Sequence, residues 1–300
     1  MAVAAPRARA APAREACPAC DGDRARPERS AFPDPLLGCP ACGHRWVADA
    51  ARRVPGAAFY DELHGKGLIN PLDDEQRRAV LDERLRLIER WVGPGRVLDV
   101  GCGDGAFLAR AEARGWSAFG LETSPEAAAL ARAAVRGEVV CAPLEEAEAA
   151  LPADCDAVTF WDCLEHLVDP AGALARVRAR LRPGGVVALT MPNAAGAEAR
   201  LWGPRWAYLD LARYGHLHHF TPHSLRRLVE RALAPRRVDV RTHGSVDLRH
   251  VPALAAISRR PRGTWALDRA SGVLARVGAP LRLGSTLLLR AQVDGRPRGG

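Results

Sequence analysis

Residues 97–108 read Val-Leu-Asp-Val-Gly-Cys-Gly-Asp-Gly-Ala-Phe-Leu, and this stretch decides the fold. A short apolar run, typical of a buried strand, ends in a turn with alternating glycines, and an apolar pattern of helical spacing begins at Phe107. Glycines at a strand-to-helix turn let the backbone approach a ligand closely, and the new helix offers unpaired N–H groups. The stretch therefore predicts a site for a nucleotide-like cofactor.

Two kinds of cofactor are compatible with the glycine pattern. Gly101-x-Gly103-x-x-Ala106 satisfies the dinucleotide fingerprint, and Glu122 follows where a ribose-binding acid belongs. Asp99, however, stands two residues before the first glycine. Its carboxylate would repel a pyrophosphate, whereas a cationic amino-acid group would be attracted to it. Asp99 therefore favours a cofactor with an amino-acid end over a nicotinamide dinucleotide.

Strands and helices alternate through the central region. The pattern predicts strands at 96–100, 117–121, 138–141, 156–161 and 186–191, and helices at 105–114, 125–135, 170–181 and 224–233 after a first helix that starts near residue 73. Ser124-Pro125 and Asp169-Pro170 each supply an N-cap followed by a first-turn proline. This alternation predicts an α/β fold, a doubly wound and mostly parallel sheet that binds its ligand at the carboxyl ends of the strands.

Three motifs in a fixed order make the pattern specific. The glycine turn is followed by Asp-Ala-Val-Thr-Phe-Trp-Asp-Cys-Leu-Glu-His-Leu-Val-Asp-Pro at 156–170 and by Leu-Arg-Pro-Gly-Gly-Val-Val-Ala-Leu-Thr-Met-Pro-Asn at 181–193. In this order the chain resembles the class I S-adenosylmethionine-dependent methyltransferases. The resemblance implies a Rossmann-like sheet of seven strands with an antiparallel last strand, a methyltransferase domain at 73–243 and 284–293, and S-adenosyl-L-methionine as cofactor.

The same resemblance gives seven residues cofactor-binding roles. They are Asp99, Gly101, Gly103, Gly105, Glu122, Leu144 and Asp162. The glycine backbone would pass beneath the methionine and ribose, and Asp99 would stabilise the amino-acid end. Glu122, which only accepts hydrogen bonds, suits the ribose hydroxyls, with a solvated strand-end acid as the alternative. Leu144 would flank the adenine, and Asp162 would leave the fourth strand beside the sulfonium.

Three histidines are candidate catalytic bases, needed where the methyl acceptor must lose a proton. His166 follows Glu165 at the end of the fourth strand, where the pair could instead cap the next helix and hold the loop. His216 and His219 lie in a connection of about 28 residues after the fifth strand, rich in aromatic residues and without evident secondary structure. The run 215–222 resembles the substrate side of methyltransferases of types 11, 12 and 23.

We interpret this connection as a lid over the acceptor that turns His216 and His219 inward. Two alternatives stay open. The histidines could be purely structural and pack the lid. The run His216-x-His218-His219 could also bind a metal ion, although no acid stands close in sequence to complete such a site.

Four of the eight cysteines form a separate N-terminal group. Cys17-x-x-Cys20 and Cys39-x-x-Cys42 are two pairs at the spacing of a zinc ribbon. They predict a structural Zn²⁺ held by four thiolates in a module at 17–46, with metal binding supplying the folding free energy. Disulfides are the alternative, which a reducing compartment disfavours. The sequence leaves open whether the module walls the substrate site, binds a partner or contacts RNA.

Composition limits the partners. The net charge of +8 rests almost entirely on arginine, since Lys66 is the only lysine, and it argues only weakly for nucleic acid. No apolar run reaches membrane-spanning length, and residues 1–16 lack the apolar core of a signal peptide, which predicts a cytoplasmic protein. Peripheral membrane contact stays open through 244–283, a predicted helical insertion. We also expect a disordered tail at 1–16, a connector at 47–72 and a tail at 294–300.

Three functions are compatible with these features. The leading hypothesis is an enzyme that methylates an oxygen or carbon of a small molecule, glycan or natural-product intermediate by in-line displacement, with a histidine as candidate base. An RNA base methyltransferase that contacts RNA through the zinc module is the first alternative, but the arginines do not form one basic-aromatic patch. The second is a non-catalytic cofactor-binding module that recruits a partner, against which Asp99, the three glycines and Glu122 argue.

Overall fold

The computed structural model of the chain describes residues 16–65, 74–244 and 283–294. Nearly all of the predicted N-terminal tail, the second part of the connector, most of the predicted helical insertion at 244–283 and most of the C-terminal tail lie outside these described residues. Within the three ranges, no helix combines the length and the apolar character that crossing a bilayer requires.

The order of the helices and strands follows the chain. They are β1 (Arg26–Glu28), β2 (Leu36–Gly38), β3 (Arg45–Val47), α1 (Ala57–Gly65), α2 (Asp74–Glu89), β4 (Arg96–Val100), α3 (Ala106–Glu112), β5 (Ser117–Glu122), α4 (Pro125–Ala134), β6 (Glu138–Cys141), β7 (Cys155–Trp161), α5 (Pro170–Arg178), β8 (Leu181–Pro192), α6 (Ala197–Trp202), α7 (Leu211–Tyr214), β9 (His218–His219), α8 (Pro222–Leu233), β10 (Pro235–His243) and β11 (Thr286–Val293). Short 3₁₀ turns connect some of them, including one at Leu164–His166.

The larger sheet has seven strands in the order β10-β11-β8-β7-β4-β5-β6. Strands β4, β5, β6, β7 and β8 pair in parallel, and β11 runs antiparallel to both β8 and β10. This confirms the predicted doubly wound sheet with an antiparallel last strand. The chain leaves β4 for β5 on one side and returns at β7 on the other, so the carboxyl end of β4 lies at a topological switch point, where such sheets bind ligands.

Alternating residues of the central strands supply two cores, one on each face of the sheet. In β8, Val186 and Ala188 pack with α2, α3 and α4, whereas Val187 and Leu189 pack with α5 and α8. Successive side chains of a strand point to opposite faces, so a strand buried on both sides is apolar throughout. Burial on both faces of the sheet therefore explains the continuous apolar runs in the sequence.

Two predicted boundaries around β8 are wrong. The helix predicted to reach residue 181 ends at Arg178, and the strand begins at Leu181 instead of Val186. Leu181 already pairs with Cys155, but the next partners along the two strands are Val186 and Ala157. The Arg-Pro-Gly-Gly run is therefore a bulge inside a long strand and not the turn that precedes one.

The connection between β8 and α8, residues 193–221, is called the histidine loop here. The prediction that it lacks secondary structure is wrong, because it contains α6, α7 and β9. These elements are short, the longest having six residues, and their sequence carries no extended periodicity. Buried aromatic side chains hold them in place, with Trp206 1% exposed beside the half-buried Tyr208.

The N-terminal strands form a second, antiparallel sheet that the histidine loop completes. Strands β1, β2 and β3 pair in order, and β9 joins at the edge of β3. Arg45 pairs with His219 and Trp46 with His218, and the Val47 N–H donates to the Leu217 carbonyl at 2.9 Å. The cysteine-bearing segment and the histidine loop therefore share one sheet.

Candidate active site

The glycine turn after β4 has the backbone conformation that only glycine adopts easily. Gly101, Gly103 and Gly105 have φ of 75°, 55° and 78°. A Cβ on Gly101 would stand 2.6 Å from the sulfur of Cys163, and one on Gly105 would stand 2.9 Å from the Cα of Ala131. The turn therefore packs tightly against the loop after β7 and against α4. At these glycines only backbone atoms lie at the switch point of the sheet.

Glu122 at the end of β5 is buried at 7% exposed and holds the glycine turn. Its Oε2 accepts from the Gly103 N–H at 2.9 Å, and its Oε1 accepts from the N–H groups of Thr123 and Ser124 at 2.8 and 2.9 Å. A solvated acid at a strand end, the alternative for this residue, is excluded by that burial. The carboxylate is positioned beside the glycine backbone, with lone pairs left for further donors.

Asp99 lies beneath the turn and is almost fully buried. Its Oδ1 accepts from the Thr159 hydroxyl on β7 at 2.5 Å, and its side chain is 1% exposed. Burial raises the pKa of Asp99 to about 8, although the Thr159 hydrogen bond and the positive charge of Arg84 act in the opposite direction. A carboxyl in such a site gains from an incoming cation, because the cation favours its charged form.

Asp162 directly follows β7 in an unusual backbone conformation, and it is paired with an arginine that the sequence analysis does not identify. Its φ is 53°, in the left-handed region that few non-glycine residues occupy. Arg84 of α2 donates to Asp162 Oδ2 at 2.6 Å, and its guanidinium lies 4.9 Å from the centre of the Trp161 ring. No sequence motif around Arg84 identifies it as a site residue, because α2 reaches the site only through tertiary packing.

Leu144, the residue expected near the adenine, is buried, and so is Trp161 at the end of β7. Leu144 lies in the core on the α5 and α8 face, behind the end of β6. Trp161 lies in the core on the other face, where its ring meets the ring of Phe107 edge-on. Trp161 is therefore a core aromatic residue.

The residues present fit S-adenosylmethionine. The glycine cradle, which a Cβ would fill, provides backbone at the switch point, and Glu122 adds acceptors beside it. Asp99 adds a buried carboxyl whose raised pKa a cationic group would lower. These donors and acceptors suit a ribose and an ammonium group.

Glu165, His166 and His216 meet across two distant parts of the chain. Each offers a ligand atom, and these atoms lie within 4.8 Å of one another. The Nδ1–H of His166 donates to the Gly215 carbonyl at 3.1 Å, and the Leu217 N–H donates to the backbone carbonyl of Glu165 at 2.9 Å. Asp169, not this pair, caps α5 by accepting from a backbone N–H at 2.9 Å, so of the two structural roles only holding the loop is observed.

Burial shifts the protonation of this group toward neutral forms. It raises the pKa of Glu165 well above its usual range, and the nearby Asp162 carboxylate adds to the rise. Burial also lowers the pKa of His166 to about 4 and that of His216 well below the usual histidine value. Both imidazoles are therefore neutral at physiological pH, with a lone pair available to a proton or a metal ion.

The other histidines of the loop form a second buried group. His219 packs with its ring centre 6.0 Å from that of Trp206 and 6.5 Å from that of His216. His218 shares a 3.2 Å hydrogen bond with His44 of the cysteine segment, and their rings stack. Burial lowers the pKa of His218 to about 4 and that of His219 to about 3. His216 and His219 are both buried, but only His216 joins the cluster with Glu165.

The four N-terminal cysteines have the arrangement of a closed metal site. Their sulfur atoms lie within 4.8 Å of one another, and the Cys17–Cys42 and Cys20–Cys39 sulfurs are each 3.6 Å apart. A tetrahedral Zn²⁺ with Zn–S bonds of about 2.3 Å requires sulfurs about 3.8 Å apart. All four thiols are free, so no disulfide competes, and the donor set fits a structural Zn²⁺.

Comparisons with known proteins agree with this geometry. A family model described as a methyltransferase domain matches residues 72–232, more than half of the chain. A ubiquinone biosynthesis O-methyltransferase from Bordetella pertussis is 32% identical over 157 residues, 50% of this chain and 59% of that protein. One from Xanthomonas campestris is 36% identical over 107 residues, 33% of this chain and 44% of that protein. The chain thus spans about half the length of the curated relatives it matches.

Solved structures share the fold. A SAM-dependent methyltransferase from Archaeoglobus fulgidus has a TM-score of 0.52 at 18% identity and covers 72% of this chain and 94% of its own. The plantazolicin methyltransferase BpumL has a TM-score of 0.56 at 15% identity, covering 82% of this chain and 96% of its own. Fold and glycine turn together define the class I methyltransferase architecture. The chain belongs to the family that the matching model describes as a methyltransferase domain, and its fold is that of S-adenosylmethionine-dependent methyltransferases.

Proposed function

We propose that this protein transfers the methyl group of S-adenosylmethionine to an oxygen of a small-molecule acceptor, such as a glycan or natural-product intermediate, with carbon as the other acceptor atom. The observation that carries the proposal is the junction of two sites at the carboxyl ends of β4, β5 and β7. The glycine turn with Glu122 provides the cofactor side, and the cluster of Glu165, His166 and His216 stands on the acceptor side. The printed names of the curated relatives, O-methyltransferases, support oxygen.

We assign seven residues to the cofactor and three to the acceptor. The cofactor-binding set is Asp99, Gly101, Gly103, Gly105, Glu122, Leu144 and Asp162, and the acceptor set is His166, His216 and His219. The bound cofactor supplies an activated methyl group on a sulfonium. The protein then has to hold the nucleophile in line and exclude water, which the buried aromatic and imidazole rings of the histidine loop can do.

The organisation of the chain fits this division of labour. We propose a zinc module at 17–46, a connector at 47–72, a methyltransferase domain at 73–243 and 284–293, and an insertion at 244–283. Four free thiols arranged for metal binding fit a reducing compartment, which supports a cytoplasmic location.

Two measurements test the proposal. Calorimetry compares the binding of S-adenosylmethionine with that of NAD, and we expect only the first to bind. Incubation with labelled-methyl cofactor then follows transfer to phenolic and sugar acceptors and to total RNA. Label on small molecules alone supports the proposal. Label on RNA alone would favour the alternative function, an RNA base methyltransferase. Absence of S-adenosylmethionine binding would refute the proposal.

A further inference from the structure

The cluster of Glu165, His166 and His216 has a composition that sequence spacing does not reveal. A metal site in the histidine loop lacked an acid close in sequence, and the structure supplies one from the loop after β7. Glu165 lies on a 3₁₀ turn, whereas His216 lies in the histidine loop, 51 residues later in the chain. Two imidazoles and one carboxylate with ligand atoms within 4.8 Å form a donor set of the kind that binds transition metals.

The hydrogen bond of His166 prepares it to act as a ligand. The Gly215 carbonyl can only accept, so Nδ1 of His166 carries the proton and donates at 3.1 Å. The lone pair is therefore on Nε2, on the far side of the ring. A second nitrogen fixed by a backbone carbonyl is the usual arrangement of metal-binding histidines, since it sets both tautomer and orientation.

The other two members of the cluster have polar atoms without partners. Glu165 is 1% exposed, and neither carboxylate oxygen receives a hydrogen bond from another residue within the part of the chain that the structure describes. His216 is 7% exposed, and its Nδ1 is likewise buried and unpaired there. Buried polar atoms are normally satisfied, and each unsatisfied one costs free energy. Glu165 and His216 thus bring unsatisfied, buried polar atoms to the same cluster, which indicates a missing ligand.

We propose that Glu165, His166 and His216 bind one divalent transition-metal ion of the Zn²⁺, Co²⁺ or Fe²⁺ type, distinct from the ion of the four-cysteine site. Nitrogen-rich donor sets favour these ions over Mg²⁺ and Ca²⁺, which take oxygen ligands. Three protein ligands leave coordination positions open, which is the pattern of catalytic and not of structural metal sites.

A metal ion at this site would change the role of the two histidines in methyl transfer. This step of the inference rests on the proposed function. An acceptor hydroxyl bound at an open position would lose its proton to solvent more readily, because the cation stabilises the oxyanion. The oxyanion would then attack the methyl carbon, forming the O–CH₃ bond as the S–CH₃ bond breaks, and the sulfur would leave as a neutral thioether. His166 and His216 act in this scheme as ligands that position the oxygen, and a free histidine base is not required.

Counting bound metal tests the site without reference to activity. The protein is dialysed against a zinc-buffered solution, and bound zinc is measured per chain. We expect two zinc ions in the wild type, one in Glu165→Gln and one in His216→Gln. His219→Gln is the matched control, because His219 is also buried in the same loop, also has an unpaired nitrogen among the described residues and lies outside the cluster. It should retain two.

Two further measurements keep the outcomes distinct. Glutamine has the shape of a neutral glutamic acid, so Glu165→Gln should fold, which its circular dichroism and an unchanged affinity for S-adenosylmethionine would verify. A Cys39→Ser variant should lose the other ion and show which site is which. A single zinc ion in the wild type, or two in folded Glu165→Gln, would overturn the metal site. Zinc at both sites together with no cofactor binding would leave the metal site standing and remove the proposed function.

Discussion

At the scale of single residues, the burial of Asp99 makes the stability of the cofactor-free protein depend on pH. Its pKa is about 8 in the folded protein and near 3.8 in the unfolded chain. The folded state therefore holds the proton more tightly, and stability falls as pH rises between about 4 and 8, by up to about 1.4 kcal/mol per pH unit. Asp99→Asn cannot ionise and should remove this loss.

Urea unfolding of the wild type and Asp99→Asn at pH 5, 6, 7 and 8 measures the effect. Thr159 can still donate to the amide oxygen, so the variant keeps the observed hydrogen bond. The other titrating groups are common to both proteins and cancel in the difference. The free energy of unfolding of Asp99→Asn, relative to that of the wild type, should increase steadily as pH rises. Parallel stability curves would show that Asp99 is ionised at neutral pH.

Glu122 is expected to decide cofactor affinity. Removing its carboxylate leaves three backbone N–H donors, including that of Gly103, without their acceptor, and it also removes the acceptors for the ribose. Glu122→Ala should weaken the binding of S-adenosylmethionine by at least about tenfold, which corresponds to about 1.4 kcal/mol. Glu126→Ala, which removes an exposed acid four residues away on α4, serves as control and should bind normally. Equal affinities would remove Glu122 from the cofactor site.

Site residues that the sequence predicts differ from those it does not predict in how the fold places them in the site. Asp99, Glu122 and the glycines stand at the ends of strands, so a strand-turn-helix pattern locates them. Arg84 reaches Asp162 only because α2 packs over the sheet, and no local pattern records that approach. Glu165 and His216 are equally far apart in sequence. For that reason the sequence analysis found no acidic residue to complete a metal site in the histidine loop.

At the scale of elements, the histidine loop depends on one glycine whose neighbours are the site itself. Gly215 has φ of 72°, and a Cβ there would lie 2.8 Å from Cε1 of Phe59 and 3.3 Å from Nδ1 of His166. Gly215→Ala should both strain the backbone and displace the ring of His166. We expect a loss of about 1–3 kcal/mol in stability and a marked loss of methyl transfer.

Gly203→Ala separates the two effects. Gly203 lies in the same loop with φ of 50°, but nothing stands within 4 Å of its Cβ position. It should lower the melting temperature through backbone strain while leaving transfer largely intact. If both variants lose transfer to the same degree, backbone strain in the loop and not contact with His166 limits the reaction.

The sequence predicted the elements of the sheet far better than those of the loop, and the reason is length. Strands β4 to β8 and their helices are long enough for periodicity and caps to appear, and two faces of burial explain their apolar runs. Strand β9 has two residues, and its partner β3 is about 170 positions away. A pairing of that kind is fixed by tertiary packing and has no sequence signature.

At the scale of the whole molecule, the cysteine segment and the catalytic domain share a hydrophobic core. Cys17, Cys39 and Trp46 lie in the same cluster as Phe220 and Leu225 of the α8 region. The shared sheet and the hydrogen bond from the Thr221 hydroxyl to the Cys42 carbonyl at 3.2 Å add to this contact. The metal that orders the cysteines is therefore expected to stabilise the histidine loop as well.

Replacing one thiol tests that coupling. Cys20→Ser leaves three thiolates and should lower bound zinc and shift the main melting transition down by several degrees, because metal binding contributes folding free energy directly. Cys141→Ser is the matched control, since Cys141 is also half-buried and lies outside the cluster. Methyl transfer should fall in Cys20→Ser while cofactor affinity holds, because β9 leads back to His216 and the glycine turn lies on other strands. A separate low-temperature transition for the N-terminal segment, with transfer unchanged, would instead make the zinc module an independent unit.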